Sequence, residues 1–340
     1  MKGSYVVKLI LARYPHLKFD KVVEQLQEGS FVSLSRRYLY VLVSKAACTT
    51  MRALLQAVEC FPPPKEFDGS KPVMNRGQFL HCRENIPLPS LVDLDNGTQK
   101  QVLESPDFLR MTVVRNPYTR LVSAWKNRIL ICAPGQVRLY VKIKGHLPEY
   151  GRKSLISFEE FVDHIAQTDL SKCDLHWRRQ VDHIFSKALN FTHIGKLERM
   201  EETLQRFQHH LGLVEPLSVG RKNTTAAGDV DFAQSLADKI YFLYQEDFEA
   251  FGYDRNAWPR PSRNGNDSRN NGMVPVERFM DEIIERNLII YHLYQERRRL
   301  LQRTPSGIAQ RIYDKFRRTL FSEGRRAGVA KGSETRAAIG

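Results

Sequence analysis

The chain has 340 residues, 42% of them hydrophobic and 26% charged, with a formal net charge of +14. That length suits one large domain with an appendage, and the composition excludes fibrous and wholly disordered classes. The basic balance calls for an anionic partner: nucleic acid, a membrane surface, phosphate, or a sulfated or acidic ligand.

The first residues, MKGSYVVKLILARYPHLKF, hold only a short apolar patch that Lys8 interrupts, with no small-residue cleavage site after it. They read as neither signal peptide nor membrane anchor, and the expected location is cytoplasmic. Residues 1–35 read as a helical connector. YLYVLV at 38–43 is a continuous β-prone run, as in a strand buried on both faces. VSKAACTTMRALL (43–55) follows, with Lys45, small Ala46 and Ala47, then Cys48, Thr49 and Thr50 opening a helix over 49–60. Three prolines, Pro62 to Pro64, stop that helix. Residues 61–105 read as irregular, rich in Pro, Asn and Gly.

FLRMTVV (108–114) is a second buried-strand candidate. Arg115, Asn116 and Pro117 lead into the helix YTRLVSAWKNRIL, and Pro at the first helical turn is favourable. In SFEEFVDHIAQT (157–168), Ser157 caps an amphipathic helix and Glu160 completes a capping box. FTHI (191–194) is a short strand, followed by helices from Glu198 to about residue 211 and over 229–250. Residues 259–275 read as a linker. A helix over 276–303 ends in Arg297, Arg298 and Arg299. A shorter basic helix covers about 307–321, and the end of the chain reads as disordered. Residues 261–340 hold 16 Lys+Arg against 9 Asp+Glu, about half of the basic excess. The five cysteines include no CxxC pair, which argues against a zinc ribbon or disulfide scaffold and for reduced thiols.

Strands alternating with helices predict an α/β fold with a central parallel sheet flanked by helices. The catalytic domain is placed at 36–258 and a basic helical extension at 276–340. In such folds ligands sit at the carboxyl ends of strands, where the turns after residues 43 and 114 lie. Amides at the start of the 49–60 helix carry partial positive charge that attracts phosphate. Thr49 and Thr50 add hydroxyls, and Lys45 adds a full charge. The Walker glycines are absent, which disfavours an ordinary nucleoside triphosphatase. In VVRNPYTRLVSAW (113–125), Arg115 closes a strand and Ser123 lies a little over two helical turns on, so the two can grip one phosphate from two sides. Either turn alone could equally be an ordinary strand–helix connection.

Together they resemble the nucleotide-binding motifs of sulfotransferases that use 3′-phosphoadenosine 5′-phosphosulfate (PAPS), above all the carbohydrate sulfotransferases of the chondroitin and dermatan 4-O type. ISFEEFVDHI (156–165), HWRRQ (176–180), FTHIGKLERMEE (191–202) and IYFLYQEDFEAFGY (240–253) extend the resemblance over roughly 36–253. It implies a P-loop-like fold and sulfuryl transfer from PAPS, with no metal, to a carbohydrate or glycolipid hydroxyl. Lys45, Ala46, Ala47, Cys48, Thr49 and Thr50 would hold the 5′-phosphosulfate, with Lys45 also balancing charge on the leaving oxygen. Arg115 and Ser123 would hold the 3′-phosphate, and Arg221 and Lys222 would add charge nearby.

The resemblance also places a catalytic base between the two motifs: His81 in FLHCREN, with Glu84 as runner-up. His176 and His183 are expected to be satisfied structural histidines, and Glu198 to form a structural ion pair. Ser44 stands where the family has proline before the loop lysine. No Golgi-type anchor is seen, so a soluble, bacterial-type relative is expected.

Two other readings stay open: a small-molecule kinase with a degenerate phosphate loop, and a non-enzymatic binder of anionic polymers. The kinase lacks an evident acidic Mg²⁺ motif. The basic runs lack the interleaved aromatics that nucleic-acid stacking needs, so no specific nucleic acid is expected. The C-terminal basic helices could make peripheral contact with an anionic membrane.

Overall fold

The computed structural model describes residues 4–61, 86–130, 132–145, 155–217, 230, 232–259, 283–284 and 286–296. In chain order its main elements are α1 (Tyr5–Arg13), α2 (Phe19–Gly29), β1 (Ser30–Ser33), β2 (Tyr38–Val41), α3 (Cys48–Val58), α4 (Asn96–Glu104), β3 (Leu109–Val114) and α5 (Pro117–Ala124). A π-helical turn, Trp125–Leu130, follows, then α6 (Val137–Lys144), α7 (Phe158–Ala166), α8 (Gln180–His183), β4 (His193–Lys196), α9 (Met200–Leu211), α10 (Gln234–Leu243) and α11 (Gln245–Phe251).

The chain divides into two compact units, residues 1–130 with 156–269, and residues 131–155 with 270–340. In the first, four strands form one sheet in the order β1-β2-β3-β4. β2, β3 and β4 run parallel, and β1 pairs antiparallel with β2. Alternation along β2 explains the layering. Leu39 and Val41 face a cluster built with α1, α2 and α4, whereas Tyr38 and Tyr40 face one built with α3 and α9. The two central strands are buried on both faces, with Arg110 and Thr112 of β3 enclosed among apolar residues. The second unit is described by α6, which Gly145 ends at φ 79°, and by helical residues 283–284 and 286–296.

Several elements depart from expectation. Residues 30–33 form strand β1 where only a connector was expected. Asp95, accepting hydrogen bonds from the Gly97 and Thr98 amides, starts α4 inside the stretch read as irregular. The helix expected over 229–250 is two helices that break at Tyr244. Among the described residues, no helix is long and apolar enough to cross a membrane.

Candidate active site

All three parallel strands deliver their carboxyl ends to one edge of the sheet. Val41 of β2 pairs with Thr112, and Val114 of β3 pairs with Lys196 of β4. The β2–α3 turn, Arg115 and Asn116 after β3, and Glu198 after β4 therefore converge.

The β2–α3 turn solves the problem of its missing glycines by strain. Lys45 (φ 69°) and Ala47 (φ 58°) both adopt the left-handed conformation that glycine adopts freely. Such residues persist only where the surroundings over-determine them, and they cluster at ligand clamps. Here Ala46 is buried and its amide donates to the Val43 carbonyl at 3.2 Å. Ala47 is the N-cap of α3, and its carbonyl accepts the Met51 amide at 2.9 Å. Cys48, Thr49 and Thr50 form the first turn of α3, half-buried. This end of an eleven-residue helix, with Lys45 at its mouth, suits an anion.

Arg115 is brought against the turn. Its Nη1 donates to the Lys45 carbonyl at 3.4 Å and its Nε to Thr119 Oγ1 at 3.0 Å. The Gln180 side chain fixes its backbone from both sides, accepting the Arg115 amide at 2.9 Å and donating to its carbonyl at 2.8 Å. Burial lowers the pKa of the Arg115 guanidinium, with the Glu198 carboxylate opposing that effect. Ser123 is enclosed within α5, 3% exposed. His81, Glu84, Arg221 and Lys222 lie outside the described residues.

Burial first, then the neighbouring charges of Arg115, Arg128 and Arg120, pull Lys45 down to about 8, with Cys48 opposing. Four cationic side chains thus act on one turn. Like charges are assembled in this way at sites built for a multiply charged anion.

Arg120 and Arg128 escaped the sequence reading as site residues. Arg120 is 2% exposed, and its guanidinium donates from Nε to the Ser44 carbonyl at 2.9 Å, from Nη1 to Arg178 at 2.8 Å and from Nη2 to Leu175 at 3.0 Å. One side chain therefore ties the β2–α3 turn to the loop before α8. Arg128 sits in the π-helical turn, and its buried Nε has no hydrogen-bond partner among the described residues. Single π turns in otherwise α-helical segments often mark functional sites. A charged residue between apolar ones in a helix reads as surface, so only the VVRNPYTRLVSAW pattern as a whole pointed near Arg120.

Among the described residues, Glu198 forms hydrogen bonds and no ion pair. Its carboxylate accepts the Asn116 amide and the Tyr253 hydroxyl, each at 2.9 Å. His183 is buried with Nδ1 3.1 Å from the Leu175 carbonyl. Burial and the charges of Arg120 and Arg178 hold its pKa well below the usual value, so it stays neutral. Among the described residues, no group of three or more His, Cys, Asp or Glu could hold a metal ion.

A profile of the sulfotransferase family matches residues 29–254. Human carbohydrate sulfotransferase 9 is 21% identical over 243 residues, an alignment covering 66% of this chain and 52% of the relative. The chain thus spans about half the length of that curated relative. No solved structure matches the chain significantly.

Proposed function

The chain belongs to the sulfotransferase family, and on that premise we propose that it transfers the sulfuryl group of PAPS to a hydroxyl of a carbohydrate or glycolipid acceptor. The observation that carries the reading is the meeting of two turns at one sheet edge: Arg115, from the β3–α5 turn, donates to the carbonyl of Lys45 in the β2–α3 turn.

The transition state of such a transfer is loose, by analogy with phosphoryl transfer, and catalysis is mainly positioning and charge neutralisation. The amides and hydroxyls of Ala46, Ala47, Cys48, Thr49 and Thr50 orient the 5′-phosphosulfate. Lys45 answers the negative charge that grows on the bridging oxygen. Arg115 and Ser123, with Arg221 and Lys222, take the 3′-phosphate that separates PAPS from ordinary adenylates. The resemblance puts the base at His81 or Glu84. The chemistry needs no metal. Carbohydrate sulfotransferase 9, by its name a carbohydrate enzyme, supports a sugar acceptor. The basic C-terminal segment supplies peripheral contact with an anionic membrane on the cytoplasmic side.

Calorimetry with adenosine 3′,5′-bisphosphate tests the reading. The expected result is micromolar binding that needs the 3′-phosphate, weakens in Lys45→Ala and collapses in Arg115→Ala. Equal binding of AMP, or no binding by the wild type, overturns it.

A further inference from the structure

Strand β3 ends at Val114, so the backbone of Arg115 has left the ladder and needs other partners. Gln180, at the start of α8, supplies them. Its Oε1 accepts the Arg115 amide at 2.9 Å, and its Nε2 donates to the Arg115 carbonyl at 2.8 Å. A carboxamide carries a donor and an acceptor side by side, so it can bind both backbone groups of one residue as a neighbouring strand would. One residue on, the Asn116 amide donates to the Glu198 carboxylate at 2.9 Å. Two consecutive residues are thus held by two different elements.

Gln180 is held in turn by Asp247 of α11. That carboxylate accepts the Gln180 amide at 2.8 Å and the Val181 amide at 2.9 Å, and Gln180 Nε2 lies 3.4 Å from its Oδ2. Two acceptors therefore stand on the NH₂ side of the carboxamide, which fixes its orientation and turns Oε1 to the Arg115 amide. Tyr244, where α10 gives way to α11, donates its hydroxyl to the Trp177 carbonyl at 2.5 Å, so the same helix pair grips this loop twice. Gln180 and Asp247 are each 0% exposed, whereas Arg115 is half-buried. The two enclosed residues cannot meet a ligand, but they decide where Arg115 stands.

Placement matters because a guanidinium matches phosphate oxygens as a planar fork of fixed direction. A misplacement of about 1 Å can cost about 10²-fold at a site that depends on geometry. The Arg115 side chain is tethered lightly, by Nε to Thr119 Oγ1 at 3.0 Å and by Nη1 to the Lys45 carbonyl at 3.4 Å. Its backbone anchor carries the rest.

We infer that Gln180 is a positioning residue that sets the preference for a 3′-phosphate by holding the backbone of Arg115, with Asp247 as its anchor. The inference rests on the sulfuryl-transfer reading, in which Arg115 takes that phosphate.

Calorimetry on the full chain with adenosine 3′,5′-bisphosphate, and with AMP, which lacks the 3′-phosphate, tests it. Gln180→Met keeps an unbranched side chain of similar length and removes both carboxamide contacts. It should lower the preference for the bisphosphate over AMP by about 10–100-fold, as loss of an orienting outer group does at metal sites, and leave AMP affinity within about twofold. Asp247→Asn keeps Gln180 and weakens only its anchor, so the preference should fall by about three- to tenfold. This variant carries the test if Gln180→Met does not fold. Equal losses for both ligands would reveal a merely structural role and overturn the assignment. A folded variant that keeps the wild-type preference overturns it too. A wild type that binds AMP as well as the bisphosphate, or binds neither, overturns the sulfuryl-transfer reading itself, and the assignment falls with it.

Discussion

At Lys45 the backbone is left-handed and the ammonium is half-buried among three guanidinium groups. Both features cost stability, and both suit the anion proposed to bind here. The electrostatic part has a definite pH dependence. The ammonium's pKa is about 8 in the folded chain against an ordinary 10.5. Below pH 8 the folded and unfolded chains both carry the proton, and the cost of burying the charge is fully present. As pH rises from 8 to 10.5 the folded chain gives up its proton first, and the cost disappears. Lys45→Met should therefore stabilise the chain by about 1–3 kcal/mol at pH 7, given roughly 1.4 kcal/mol per pKa unit. The gain should vanish near pH 10.5. Denaturant unfolding of both proteins from pH 7 to 10.5 measures it, and a gain that grows with pH would contradict the burial account. The same variant should lose affinity for adenosine 3′,5′-bisphosphate, because the charge it removes is the one the anion meets.

Arg120 connects elements that neither α5 nor the strands could hold alone. Its three donors reach carbonyls of Ser44, Leu175 and Arg178, and the buried Asp247 lends it negative charge. A lysine cannot reproduce that planar fork. Arg120→Lys should cost about 2–4 kcal/mol, since buried carbonyls lose their donors. It should also weaken bisphosphate binding, as the turn bearing Lys45 loosens. Thermal unfolding and calorimetry read the two effects, and a variant destabilised without loss of affinity would show that Arg120 does not position the turn. Legibility in the sequence followed the same division. β2, β3, α3 and the Ser157 capping box were readable because apolar runs, helical spacing and caps are local signals. β1 was not, because SFVS becomes a strand only by pairing with YLYV across a short turn. Lys45 and Arg115 stood out as charges at strand ends. Arg120 and Gln180 were invisible as components of this region because their partners lie far along the chain.

Over the whole molecule, charge is spread unevenly along the chain. Half of the +14 excess falls in residues 261–340, whereas the family match ends at residue 254. Screening at physiological salt confines a surface charge to about 8 Å, so a basic segment acts mainly on what it directly touches. It is suited to a surface. The helix at 286–296 exposes Ile289, Leu293 and Tyr294, and Arg297, Arg298 and Arg299 follow directly in sequence. Apolar groups beside a run of arginines match an anionic bilayer, where each basic residue contributes about 1 kcal/mol. A chain ending at residue 269, the boundary of the first compact unit, should keep its bisphosphate affinity within about twofold at 0.15 M salt. It should lose most binding to phosphatidylserine-containing vesicles, and the full chain's vesicle binding should fall steeply with salt. Cosedimentation beside calorimetry separates the two properties. Vesicle binding that survives the truncation would move the membrane contact to the first unit, and a collapse of nucleotide affinity would mean that the basic extension helps to build the donor site.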